Sequence, residues 1–338
     1  MKAKIISALS ILNKSLTEGI KNERLLKATK QSCAENTWFD IENVDIALKA
    51  LSLWLKEETL IEFTNNYSFS QTPKTIAVIC AGNIPAVGFH DMLCVLLSGN
   101  KFKGKLSSSD KYLLPAIADL LIEAEPLLKE RIEFVEERLE NFDAVIATGS
   151  NNTSRYFNYY FGKYPNIIRH SRSSIAIIGN KENITSQDYS LLISDVLTHK
   201  GQGCRNVSKI YIPKEFDFTP LIEATKKYTY LLDHNKYRNN YDYHNAIFIM
   251  NNISFIDSGV LLLFESQELF SPVSVLNYEY YENLENVIET LETEKENIQC
   301  IVSNTKKIKN STPFGKAQTP TIYDFADNID TMKFLNSL

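Results

Sequence analysis

The stretch KTIAVICAGNIPAVGFHDMLCVLLSGNKFKGKLSSSD, Lys74–Asp110, carries the reading of the fold. Its opening run, Lys74 to Cys80, is short, apolar and contains β-branched residues, as expected of a buried strand. Pro85 lies in the turn that follows. A helix is predicted from about Phe89 to Ser98, with Gly99-Asn100 as its stop. Lys101 to Leu106 then reads as a second strand. Strand, helix and strand in this order describe one turn of an α/β rhythm.

The rhythm continues downstream. Asp110 is placed to cap a helix carrying Leu113, Leu114, Ile117, Leu120, Leu121 and Ala124 at helical spacing, with Pro115 near its start and Pro126 at its end. Ile132 to Val135 and Asp143 to Gly149 (DAVIATG) are strand candidates. Thr153 to Tyr164 reads as a helix and Ile175 to Ile178 as the next strand. In the second half, a helix from about Asp188 to His199 precedes GQGC, VSKIYIP is a strand, and Thr219 to Leu232 is a helix. AIFIM, GVLLLFE and SVLNYEY are further strand candidates, followed by a helix over Asn283–Thr293 and the strand IQCIVS. This alternation predicts mostly parallel sheets covered by helices. Upstream, residues 1–70 are expected to be mainly helical. Val44, Ala47, Leu48, Leu51, Trp54 and Leu55 lie at helical spacing within Val44–Leu60, with Ile46 and Leu53 widening the face.

The bulk properties narrow the function. With 36 basic and 41 acidic side chains, the formal net charge is -5, so no global basic field exists to attract nucleic acid. No basic-aromatic platform for single strands is present. Lys2 and Lys4 precede a short apolar run, the start of a signal segment, but the run breaks at Asn13-Lys14-Ser15. Ile5, Leu9, Leu12 and Leu16 fit an amphipathic helix instead, and no apolar run is long enough for an integral membrane segment. The five cysteines, Cys33, Cys80, Cys94, Cys204 and Cys300, are widely spaced without a CxxC pair, which predicts a reduced, cytoplasmic chain. Cys80 and Cys94 sit among apolar residues as core fillers. With five histidines and no HExxH or close His/Cys cluster, no metal site is expected.

The chemical signals concentrate at Cys204, in HKGQGCRNVSKIYIP. Gly201 and Gly203 permit tight bends and close ligand approach, backbone N–H groups in such a bend can stabilise a thiolate or oxyanion, and Arg205 adds positive charge. No GxGxxG follows the first strand. The glycine turns Cys80–Asn83 and Thr148–Ser150 stand at strand ends instead. Arg169, His170 and Arg172 form a basic group, read either as a phosphate site or as a domain-edge cluster.

GQGC resembles the GQxC nucleophile motif of the aldehyde dehydrogenase superfamily. Asn83-Ile84-Pro85, Ser98-Gly99-Asn100 and Lys105-Leu106-Ser107 resemble, in order and spacing, that superfamily's Asn-Phe/Ile-Pro, Ala-Gly-Asn and Lys-Pro-Ser segments, with Ser98 and Leu106 as departures. IATGSNNT resembles its Thr-Gly-Ser turn. ESQELFSP, Glu265–Pro272, resembles its Glu-x-Phe-Gly-Pro signature, with Ser271 in place of glycine. The ending PFGKAQTPTIYDFADNIDTMKFL is similar to the closing segment of the acyl-CoA reductase family that includes the fatty-acyl reductase of bacterial luminescence.

The resemblance spans roughly residues 70–338 and implies an aldehyde-dehydrogenase-like α/β fold: two Rossmann-like three-layer domains with a helical N-terminal segment. The expected division is 1–70 helical, 71–172 for the nicotinamide cofactor, 173–310 catalytic with Cys204, and 311–338 returning to the first domain. It implies an NAD(P)H-dependent oxidoreductase that reduces an acyl-CoA, a fatty acyl group above all, to the aldehyde through an S-acyl-cysteine. Cys204 would be the nucleophile, and Asn83 with the Cys204 N–H the oxyanion hole. Lys105 and Ser107 would meet the cofactor ribose, Gly149 and Ser150 the pyrophosphate, and Glu268 the nicotinamide ribose. NADPH is the implied cofactor, with NADH as the alternative. Where oxidising relatives carry a general-base glutamate, this chain has Ile168–Ser174 with none, which favours thioester reduction over irreversible aldehyde oxidation. The alternatives are an acyl-phosphate reductase, a non-acylating aldehyde dehydrogenase, or a non-redox acyl-transfer partner. Implied partners are an acyl-CoA or carrier-bound acyl donor, an acyl-transferase, and a second copy in a homo-oligomer.

Overall fold

The computed structural model describes residues 1–179 and 184–338. The chain divides into two compact units, Met1–Ser171 with Pro320–Leu338, and Arg172–Thr319. Each unit is built on a mainly parallel sheet, the expected α/β class.

The first unit opens with four helices: α1 (Lys2–Glu18), α2 (Glu23–Glu35), α3 (Ile41–Ser52) and α4 (Glu57–Asn65). Ile5, Leu9, Leu12 and Leu16 form one buried stripe on α1, and each such aliphatic side chain contributes about 1.5–3 kcal/mol relative to exposure. The Val44–Leu60 pattern is two helices rather than one. The chain turns after Ser52, burying Trp54 and Leu55, and the Trp54 indole donates to the Pro320 carbonyl at 2.7 Å. Ile46 and Leu53 do not widen the buried face: they are 43% and 51% exposed.

Five strands follow, β1 (Thr75–Ile79), β2 (Lys101–Lys105), β3 (Ile132–Val135), β4 (Ala144–Thr148) and β5 (Asn166–Arg169), all parallel in the order β3-β2-β1-β4-β5. Helices α5 (Phe89–Leu97), α6 (Leu113–Ala124) and α7 (Asn151–Phe161) connect them. The strand order reverses at β1, the arrangement in which α/β sheets bind ligands beyond the carboxyl ends of their strands. Ile79 pairs with Lys105 on one side and Ala147 on the other. The segments leaving β1, β2 and β4 therefore emerge at one edge of the sheet.

The second unit contains β6 (Ser173–Ile177), α8 (Ser186–Leu197), β7 (Val207–Pro213), α9 (Thr219–Thr225), α10 (Asn235–Met250), β8 (Ile256–Asp257), β9 (Leu262–Glu265), β10 (Val275–Tyr281), α11 (Leu284–Glu294) and β11 (Ile298–Ser303). The sheet order is β11-β6-β7-β10-β9-β8, parallel except for β8. AIFIM is not a strand. It is the last turn and a half of α10, whose Tyr237, Tyr241 and Phe248 are buried at helical spacing while Ile249 and Met250 are exposed.

The returning segment ends in α12 (Thr331–Asn336). It is clasped by Arg169, which is buried rather than available to a phosphate. The Arg169 guanidinium meets both carboxylate oxygens of Asp91 at 2.6 and 2.8 Å and donates to the Thr331 hydroxyl at 3.1 Å. Beside it, the His170 N–H donates to Asp327 at 3.1 Å, and its Nδ1 lies 2.9 Å from the Ser154 hydroxyl.

Candidate active site

The turn after β1 carries Asn83. It is held from three directions. The buried Asn36, which follows α2, donates its carboxamide N–H to the Gly82 carbonyl at 3.2 Å. The Asp110 carboxylate accepts the Ala86 N–H at 2.8 Å and the Ser32 hydroxyl at 3.4 Å. Burial pushes the Asp110 carboxyl up to about 6, against the pull of the Ala86 and Leu113 N–H groups. Gly82 packs so closely on the segment after β2 that a Cβ would stand 2.7 Å from the Ser107 hydroxyl. Ala86 takes a left-handed φ of 55°.

At the same sheet edge, Lys105 donates its ammonium to the Glu137 carbonyl at 2.5 Å, and the Ser107 hydroxyl accepts the Ser109 N–H. Gly149 ends the β4 turn. Ser150 is the N-cap of α7, its hydroxyl accepting the Thr153 N–H at 3.3 Å. Asn83, Lys105, Ser107, Gly149 and Ser150 thus share one edge of one sheet. Cys204 and Glu268 belong to the other unit.

Between the end of α8 and β7 lies the Cys204 loop. His199, Lys200 and Gly201 adopt left-handed φ values of 53°, 55° and 76° in succession. For the two residues with a Cβ this costs about 1–2 kcal/mol each. Asn206 offsets that cost. Its buried carboxamide N–H group faces the carbonyls of Asp195, Val196 and Thr198 at 3.2, 3.1 and 2.7 Å, and its oxygen accepts the Gly203 N–H at 2.8 Å. Ser174 fixes the Cys204 carbonyl from β6 at 2.9 Å. Cys204 itself is exposed and in no disulfide, whereas Cys80, Cys94 and Cys300 are buried. Burial pushes the Cys80 and Cys94 thiols up, as suits core residues.

Glu268 stands exposed on the loop after β9, and that loop is fastened to β7. Lys209, 1% exposed, donates to the Gln267 carbonyl and pairs with Glu279. Ser208 donates to the Leu269 carbonyl, and Asn277 on β10 donates to those of Glu268 and Phe270 at 3.0 and 3.2 Å. The start of β7 therefore anchors both the Cys204 loop and the Glu268 loop. A third segment joins them: the buried Asp195 carboxylate on α8 accepts the Gly315 and Ala317 N–H groups at 2.6 and 3.1 Å. Burial raises this carboxyl to about 6.

Asn36, Asp195 and Lys209 were invisible as site-building residues in the sequence. Asn206 alone carried a signal, as an asparagine two residues from Cys204. The others act on backbone groups far away along the chain.

A model of the acyl-CoA reductase (LuxC) family matches residues 22–236, well over half of the chain. The chain belongs to the LuxC acyl-CoA reductase family. Solved structures agree on its fold. A putative aldehyde dehydrogenase from Burkholderia cenocepacia superposes with a TM-score of 0.68 at 14% identity, covering 90% of this chain and 75% of its own. The indole-3-acetaldehyde dehydrogenase of P. syringae, solved with NAD+ and IAA, gives 0.66 at 13%, covering 94% and 75%. The propionaldehyde dehydrogenase from the fucose utilisation microcompartment of Clostridium phytofermentans gives 0.62 at 10%, covering 94% and 82%. Comparison with curated protein sequences returns no match. The LuxC family chain thus has an aldehyde-dehydrogenase-like fold, and its membership supports redox chemistry at an acyl or aldehyde carbon. Among its described residues, no helix is long and apolar enough to cross a membrane.

Proposed function

We propose that this LuxC family member reduces an acyl-CoA, with a fatty acyl chain, to the aldehyde, and that Cys204 carries the acyl group between the two half-reactions. The observation that carries this reading is the Cys204 loop: the exposed thiol of the GQGC motif sits on a strained turn tied down by Asn206. A turn of this kind, fastened by a buried side chain, suits a nucleophile that has to be presented in one orientation.

In the first half-reaction the Cys204 thiolate attacks the thioester carbonyl. The C–S bond to CoA breaks, CoA leaves as a thiolate that takes up a proton, and the acyl group remains on Sγ. Asn83 and the Cys204 N–H are the proposed donors to the oxyanion that forms in between. The lack of a glutamate in Ile168–Ser174 to activate water favours reduction of the acyl-enzyme over its hydrolysis.

A nicotinamide dinucleotide fits the carboxyl edge of the first sheet. Strand order reverses there, and the first turn of α7 opens there with N–H groups that helix geometry directs outward. Gly149 and Ser150 are the proposed pyrophosphate contacts, Lys105 and Ser107 those of the ribose region, and Glu268 holds the nicotinamide ribose. The ammonium of Lys105 favours NADPH over NADH. When bound, the reduced nicotinamide would supply the hydride that releases the acyl group as aldehyde. The NAD+ complex of the P. syringae neighbour supports this class of cofactor.

Anaerobic stopped-flow oxidation of NADPH and NADH with a panel of acyl-CoAs, with aldehyde quantified in parallel, tests the reading. Wild type should yield one aldehyde per cofactor oxidised, and Cys204→Ala none. Failure of every CoA donor would overturn acyl-CoA reduction and direct the same assay to acyl phosphates and carrier-bound acyl groups.

A further inference from the structure

We infer that the N-terminal helical segment supplies positioning residues for the acyl-transfer step, with Asn36 as the principal one. This inference rests on the proposed role of Asn83 in stabilising the oxyanion.

The Gly82 carbonyl and the Asn83 N–H belong to the same peptide group, which is planar. A hydrogen bond to that carbonyl therefore fixes the plane from which the Asn83 backbone departs. Asn36 makes this bond from a buried position, and its own carboxamide is fixed in turn, because its oxygen accepts the Trp38 N–H at 3.0 Å. The far end of the turn is fixed separately by the Asp110 carboxylate on the Ala86 N–H, with Ser32 of α2 donating to the other carboxylate oxygen. Between these grips Gly82 packs closely against Ser107 and Ser109. Two side chains from the first 36 residues thus act on a turn that begins at residue 81. A donor aimed at a developing oxyanion is effective only if it is held before the charge appears, and a misplacement of about 1 Å can cost on the order of a hundredfold. In this arrangement Asn36 touches no reacting atom. It acts through Asn83.

The test is a double-mutant cycle between Asn36→Ser and Asn83→Ala. Serine at 36 can still accept the Trp38 N–H in a local turn, while its short side chain cannot span to Gly82. Asn36→Asp serves as the second variant, isosteric but without the N–H donor. The measured quantity is the rate of acyl transfer to Cys204, read as CoA released in a single turnover without cofactor, using the acyl-CoA preferred by wild type. NADPH affinity and melting temperature are measured alongside. We expect each Asn36 variant to slow acylation roughly tenfold or more, with NADPH affinity unchanged. In the Asn83→Ala background the Asn36 substitution should have little further effect, because the group it positions is gone. Full additivity of the two substitutions, or acylation unchanged in both Asn36 variants while Asn83→Ala is slow, would overturn the inference and leave the proposed reaction standing. Acylation unaffected by Asn83→Ala would overturn the oxyanion reading itself, and this inference with it.

Discussion

Two buried aspartates, Asp110 and Asp195, brace the turns on which this chain presents its polar groups, and both are pushed up to about 6 from an ordinary 3.8. In each the dominant cause is burial, only partly opposed by the N–H groups they accept. The sign follows directly. Between about pH 4 and 6 these two groups hold more protons in the folded state than in the unfolded chain, so their contribution to stability is greatest below this window and falls as pH rises through it. At neutral pH each ionised carboxylate costs on the order of 2–3 kcal/mol. Chemical denaturation from pH 4 to 7 should show this decline. Asp195→Asn should flatten part of it, while loosening the Gly315–Ala317 segment that its second oxygen no longer accepts.

At the scale of elements, the Cys204 loop is a helix end that cannot relax. Its left-handed residues, His199, Lys200 and Gly201, are held by one asparagine. Replacing Asn206 with alanine leaves the Asp195, Val196 and Thr198 carbonyls to other partners and frees the Gly203 N–H. The far-ultraviolet circular dichroism should stay unchanged while acylation of Cys204 slows by roughly ten- to a hundredfold. Lys209→Met acts three residues further along, on β7. It removes the ammonium from the Gln267 carbonyl and Glu279, so the Glu268 loop should loosen. The expected result is a higher KM for NADPH with single-turnover acylation by acyl-CoA preserved.

The helices and strands that carry these loops were largely legible in the sequence, because burial imposes periodicity. The run KTIAVIC, the stop at Gly99 and the helix before GQGC all register as elements. AIFIM misled because a short apolar run has no reliable period of its own. The helical signal lay further back, at Tyr237 and Tyr241. The Val44–Leu60 segment misled in the opposite way, since the turn at Trp54 preserves helical spacing in sequence while breaking the helix. Cys204 was legible from its glycines. Its support was not, because Asn206 and Ser174 bond to backbone carbonyls and N–H groups, which every residue possesses and no pattern marks.

At the scale of the whole molecule, the first unit is closed by residues from both ends of the chain. The Arg169–Asp91 pair, completed by Thr331, is buried in that unit. Arg169→Leu should destabilise it by about 3–5 kcal/mol, since Asp91 would be left as an uncompensated buried charge. In a denaturant titration with probes in each unit, the transition of the first should move to lower concentration further than that of the second.

That closure also sets an order of events during synthesis. Residues 1–171 emerge from the ribosome well before Thr331 and the buried Met332 and Leu335 of α12. At about 5–20 residues per second the wait lasts on the order of 10–30 s. Throughout it the nascent first unit carries Arg169 and Asp91 without their hydroxyl partner and an unfilled place in its core. The second unit, by contrast, is complete at Thr319. A chaperone that engages this chain after Thr319 has emerged would therefore meet the earlier-made half as the one still unfinished.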